Sequence, residues 1–216
     1  MFSLFLFILF MTTLSKETYF VALTGGIACG KSTVAEFFIE KDFDYFNADK
    51  VAHNCYLSES RIYKKILKIF GNEIIDENKI SRKKIAQKIF ENNEKRLELN
   101  SLIHPIVKDE IINWMENCKR KKINGVAEIP LLYESEINLL PWNYIISVFA
   151  KEETILKRLK NRGLSYKESL SRIRSQIPIN EKCKRSNYSV DGEDDLNNTK
   201  DLISKLLIKW KIEENS

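Results

Sequence analysis

The chain has 216 residues, 44% of them hydrophobic and 30% charged, with a formal net charge of +5. That length supports one sizeable core with room for a small insertion, and so modest a charge suits an anionic small molecule at least as well as nucleic acid, whose binders carry a denser basic stripe. The four cysteines, Cys29, Cys55, Cys118 and Cys183, lie far apart with no C-x-x-C pair and only His53 and His104 for company, a pattern that argues against a zinc site or a disulfide framework and for a reducing compartment.

Residues 1–15 open with MFSLFLFILFM. This apolar run is shorter than the roughly 20 residues needed to span a bilayer, has no positive n-region ahead of it, and is followed by no A-x-A cleavage pattern. Either Met11 is expected to be the native start, or residues 1–11 form an extension outside the fold; a targeting or membrane-associating role is the other reading. A single domain is expected over residues 16–216.

The apolar stretch Tyr19–Leu23 predicts a buried strand, and Val34, Phe37 and Phe38 across from Glu36 and Glu40 predict an amphipathic helix. Between them stands TGGIACGKST, where three of the chain's seven glycines, Gly25, Gly26 and Gly30, fall within six positions. Gly25, four residues, then Gly30-Lys31-Ser32 is the full P-loop spacing. Glycines let the backbone turn inward N–H groups, the helix adds its positive N-terminal end, Lys31 reaches outer phosphates, and the Ser32 hydroxyl can ligate Mg²⁺. The dinucleotide fingerprint G-x-G-x-x-G is absent. Cys29 admits two readings, a thiol activated by the N–H-rich loop or a small residue filling a small slot.

A second strand is predicted at Phe43–Phe46, ending in Asn47-Ala48-Asp49. Ligands of open α/β sheets sit at the carboxyl ends of strands, so Asp49 is a candidate to accept a proton from an attacking hydroxyl or to position Mg²⁺, unless it merely caps a helix. From Arg61 to Lys122 the pattern is helical: Ile62, Ile66, Leu67, Ile69 and Phe70 share a face, Ser81 can cap a helix through Phe90, and a further helix reaches LIHP, where Pro105 is expected to restart the chain. EIID is a weak strand candidate. This stretch, about 55–122, predicts an inserted helical subdomain able to cover a substrate. Strands follow at Gly125–Ile129, Tyr144–Ala150 and Tyr188–Val190, then an amphipathic helix carrying Leu202, Ile203, Leu206, Leu207 and Trp210. Residues 151–185 hold eleven Lys or Arg against four Asp or Glu. Arg158 and Arg162 share a helix face, Gly163 suits its C-terminal cap, and Ser165-x-x-Glu168 is a capping box for a helix with Arg172 and Arg174. The pair predicts a lid, about 151–187, that brings arginines over phosphates.

These stretches, in this order, resemble the dephospho-CoA kinase family: LTGGIACGKSTVAEFF, NADKVAH, FGNEIID with ISRKKIAQKIF, LIHPIV, EIPLLYE, and ILKRLKNR followed by SRIRSQ. The resemblance implies an α/β fold, a P-loop kinase core with a five-stranded parallel sheet, an inserted helical CoA domain and a helical lid. It implies transfer of the ATP γ-phosphoryl group, with Mg²⁺, to the ribose 3′-hydroxyl of dephospho-CoA. By position, Asp49 resembles the family's base, Lys31 its phosphate contact, Ser32 its Mg²⁺ contact, and Arg158 and Arg162 its lid arginines. Gly26, Ala28, Cys29, Gly30, Lys31, Ser32 and Thr33 would surround ATP with Arg162, while Arg82 and His104 match recurrent CoA-domain positions. For Arg82 and His104 a surface ion pair and a capped core imidazole remain the structural alternatives.

Asn47 stands where the family usually has aspartate, so a second carboxylate near the metal is expected to be missing. His53 stands where arginine is common, Ala28-Cys29 replaces a preferred Gly-Ser, and Ser186-Asn187 departs from a frequent Ala-Asp. The expected location is the cytoplasm, without nucleic-acid partners or stable membrane insertion. Two other readings stay open: another P-loop kinase of small nucleosides or nucleotides, and a nucleotide-dependent switch ATPase.

Overall fold

A computed structural model describes residues 17–212; the expectations for residues 1–15 lie outside the described residues. Strand β1 (Phe20–Gly25) is wholly buried because it lies mid-sheet. With β2 (Asp44–Asn47), β5 (Gly125–Glu128), β6 (Tyr144–Phe149) and β7 (Tyr188–Asp191) it forms a five-stranded sheet in the order β2-β5-β1-β6-β7. Every pairing is parallel, with Leu23 opposite Glu128 on one side and Ile146 on the other.

Alternation along β1 sends Val21 and Leu23 to one face and Phe20 and Ala22 to the other. Val21 and Leu23 join Val34, Ala35 and Phe38 of α1 (Lys31–Ile39), Ile155 and Leu159 of α6 (Glu152–Asn161), and Ile203, Leu206 and Leu207 of α9 (Leu196–Lys209). Phe20 and Ala22 join Ile111 and Met115 of the long helix α5 (Asn93–Lys121) and the inward residues of α3 (Tyr63–Phe70). Trp114 fixes α5 on that face: its indole N–H donates to Asp44 Oδ1 at 2.6 Å and its ring packs edge-on to Phe20.

Between β2 and β5 come α2 (Ala48–Asn54), α3, α4 (Arg82–Glu91) and α5. EIID proves to be half of a short antiparallel hairpin, β3 (Ile75–Asp76) with β4 (Lys79–Ile80), whose turn residues Glu77 and Asn78 both have positive φ. The expected break at Pro105 is corrected, since α5 runs through it. An interior proline costs about 3 kcal/mol of helix, but Leu99, Ile103, Val107, Ile111, Met115 and Cys118 form one buried stripe on both sides of it, and packing of such a face outweighs one lost backbone bond.

After α6, Gly163 adopts the positive φ expected of it and the capping box of Ser165 and Glu168 opens α7 (Tyr166–Arg174). The chain rejoins the core through α8 (Ile179–Arg185). There Lys182, 0% exposed, donates to the Pro130 carbonyl at 2.6 Å and pairs with Glu134 at 2.8 Å, while Glu134 Oε1 accepts from the Ile177 N–H. Lys182→Met would strand the Glu134 carboxylate, so we expect about 3–5 kcal/mol loss of unfolding free energy in denaturant titration; an unchanged midpoint would show that the pair does not anchor this return.

Candidate active site

The chemistry-bearing residues gather where the five strands end. Residues 26–33 follow β1, Asp49 follows β2, Glu128 closes β5 and Gly192 follows β7. A parallel sheet brings these ends to one edge, which makes that edge the place for a ligand.

Two close approaches set the loop after β1. Gly25 has φ +136°, and a Cβ there would stand 2.0 Å from the Val148 carbonyl oxygen. A Cβ on Gly192 would stand 1.7 Å from the Cys29 carbonyl oxygen. Arg158 ties the same two segments together, donating from Nη1 to the Ala28 carbonyl at 3.0 Å and from Nη2 to the Gly192 carbonyl at 2.8 Å. Arg162 is the exposed C-cap of α6. Of the two arginines expected in the lid, one is thus bound to the loop and the other faces solvent.

Lys31, the first residue of α1, is 6% exposed and donates to the Gly26 carbonyl at 2.8 Å. Desolvation lowers its pKa, and the nearby Glu128 carboxylate, Cys29 and Asp49 push the other way. The Ser32 hydroxyl lies 3.1 and 3.0 Å from the two Glu128 oxygens. Tyr45 OH also donates to Glu128, at 2.8 Å, and Asn47 Nδ2 donates to Tyr45 OH at 2.8 Å. Burial and the bond to Glu128 push the Tyr45 phenol up to about 12, which keeps it a donor.

Asn47 also resolves the alternative reading of Asp49. Its Oδ1 accepts from Lys50 N–H at 2.9 Å, so Asn47 caps α2 and Asp49, in the first turn, is free of that duty. Asp49 is exposed, yet desolvation is the largest influence on its carboxyl and raises its pKa. Lys31 opposes that rise, Glu128 adds to it and Arg82 opposes it again. Asp49, Lys31, Glu128 and Arg82 are therefore within electrostatic reach of one another. His104, half-buried midway along α5, is not among the groups acting on Asp49; burial lowers its pKa and Glu134 opposes the drop.

Glu128 is the residue that sequence reasoning passed over. The expected lack of a second carboxylate is corrected, because Glu128 brings one to Ser32 from a different strand. The signal is an acid at the carboxyl end of the strand beside the loop strand, but the apolar Ile129 extends the predicted strand one residue past Glu128, where it ends. Gly26, Ala28, Gly30 and Thr33 stand in the loop and first helical turn as the motif requires.

A phosphate-loop strand-to-helix turn in a 2-5-1-6-7 parallel sheet, with carboxylates and a buried lysine at the strand ends, defines a P-loop kinase. The dephospho-CoA kinase family matches residues 19–198. The dephospho-CoA kinase of Bacillus anthracis is 35% identical over 90% of this chain and 98% of its own, and that of Carboxydothermus hydrogenoformans 38% identical over 88% and 94%. The solved dephospho-CoA kinase of Campylobacter jejuni superimposes with a TM-score of 0.65 at 28% identity, covering 90% of this chain and 98% of its own. This chain belongs to the dephospho-CoA kinase family.

The loop cysteine is a packing residue here. Cys29 is fully buried, and burial pushes its thiol up despite Lys31 nearby, so the reading of an activated thiol is not supported. Cys55 and Cys118 are also buried, whereas Cys183 is partly open. A chromogenic thiol reagent should label Cys183 alone in native protein and the others only on unfolding; rapid labelling of Cys29 would contradict the packing role.

Proposed function

We propose that this kinase transfers the γ-phosphoryl group of ATP to the ribose 3′-hydroxyl of dephospho-CoA, giving CoA and ADP, the last step of coenzyme A biosynthesis. The observation that carries the assignment of roles is the convergence of Asp49 with Lys31 on the loop edge. An acid there can accept the proton of a hydroxyl placed in line with a phosphate held by the loop.

The roles we assign draw on these placements. The loop N–H groups and the N-terminus of α1 hold the triphosphate. Lys31, which bonds its own loop at Gly26, exchanges that carbonyl for a phosphate oxygen. Asp49 orients the acceptor hydroxyl and takes its proton. Arg158 holds the loop closed through Ala28 and Gly192, and Arg162 on the exposed lid helix adds positive charge over the phosphates when the lid closes. The Ser32 hydroxyl and the Glu128 carboxylate beside it fit Mg²⁺, which with nucleotide phosphates needs only one or two protein oxygens. Bound there, the ion would neutralise charge on the phosphates. Arg82 and His104 contact the acceptor from the inserted helices. All four cysteines are free thiols, in accord with the cytoplasmic location we assign, and no helix of the described residues is long and apolar enough to cross a membrane.

The deciding assay is direct detection of CoA from dephospho-CoA and ATP, with nucleosides and nucleotides as competing acceptors; turnover of those in preference to dephospho-CoA would overturn the substrate assignment. Lys31→Ala should abolish turnover. Asp49→Asn should lower kcat by about 10²- to 10⁴-fold while the ATP KM stays within about threefold, and near-normal kcat would remove Asp49 as the base. Because the base must be ionised and its pKa is raised, kcat/KM should fall on acidification at a pH above the ordinary carboxylate range.

A further inference from the structure

His53 lies four residues beyond Asp49 on α2, one helical turn along the same side. Its Nδ1 is 2.7 Å from Nη1 of Arg82, the first residue of α4 in the inserted helices. A guanidinium has only donors and keeps its proton at any physiological pH, so Nδ1 must be the acceptor. The imidazole engaged this way is neutral and carries its proton on Nε2, leaving an N–H donor on the ring's other edge.

Both side chains are exposed, and among the described residues His53 is the hydrogen-bonding partner of Arg82. An exposed arginine left to itself samples many rotamers, and holding it in one place has an entropic cost that a good hydrogen bond offsets. The place matters, because the Arg82 charge reaches both Asp49 and Tyr56. Held to His53, one helical turn along α2 from Asp49, the Arg82 guanidinium stands near the carboxylate that an acceptor must reach.

We infer that His53 is a positioning residue: through Nδ1 it holds the Arg82 guanidinium on the Asp49 side of α2, so that an acceptor bearing a diphosphate meets a preset cation and the Nε2–H donor. The inference rests on Asp49 being the base. It assigns a use to a position where this chain carries its own residue, since an arginine there would repel Arg82 and could not accept its hydrogen bond.

The test compares His53→Ala and His53→Gln in the full chain. In His53→Ala the KM for dephospho-CoA should rise about tenfold, the size of one charge-assisted bond, with the KM for ATP and the melting temperature unchanged. The acid limb of kcat/KM should move slightly to higher pH, because a released Arg82 opposes the raised Asp49 pKa less while Lys31 of α1 and Glu128 of β5 still act on it. His53→Gln, which can offer a carbonyl acceptor, should restore most of both. Nitrogen-15 NMR should show the wild-type ring protonated on Nε2, and a mixture of tautomers in Arg82→Ala. An unchanged acceptor KM and acid limb in His53→Ala, or a proton on Nδ1, would overturn the inference. Failure of the wild-type protein to phosphorylate dephospho-CoA would instead overturn the functional reading, and the NMR measurement would still decide the contact.

Discussion

A buried ammonium needs negative charge or carbonyl oxygen close by, and the burial of Lys31 organises this active site. At the start of α1 it has the Gly26 carbonyl as its direct acceptor and Glu128 and Asp49 as its counter-charges. None of these groups could move far without leaving the lysine uncompensated. The chain's own groups thus set the arrangement: both carboxylates lie within electrostatic reach of the cation, and the phosphate loop supplies its acceptor. Such prior placement is what phosphoryl transfer demands of a protein, since positioning and charge stabilisation account for most of the catalysis.

The same need for fixed placement explains the contacts around the loop. Gly192 comes so near the Cys29 carbonyl that no side chain fits, and Arg158 closes the gap with one guanidinium on two carbonyls. The end of the last strand therefore serves as the rear wall of the loop that follows the first. Ser32, Glu128, Tyr45 and Asn47 form a second chain of hydrogen bonds, running from the loop to β5 and on to β2. Asn47 thereby does two things at once, capping α2 and orienting Tyr45, and leaves Asp49 unencumbered.

Two parts of the molecule differ from what local pattern suggests, for the same reason. Pro105 reads as a helix break, but the apolar stripe of α5 continues through it and Trp114 anchors the helix to Asp44 and Phe20. Arg158 and Arg162 read as a matched pair on one face, but only Arg158 finds the loop carbonyls. In each case a partner far away in sequence decided the outcome.

The phosphate loop, the order of strands and helices, the α7 capping box and the place of Asp49 just after β2 were legible in the sequence because each depends on residues within a turn or a strand of one another: glycines where the backbone turns sharply, alternation where a strand is buried, a serine and a glutamate three apart. What only the tertiary structure decided is which carboxylate stands against Ser32, which arginine touches the loop, and that Arg82 meets His53. Those contacts join residues 96, 130 and 29 positions apart, and their geometry follows from the parallel register of the sheet and the docking of helices upon it, neither of which is written in any short stretch of the chain.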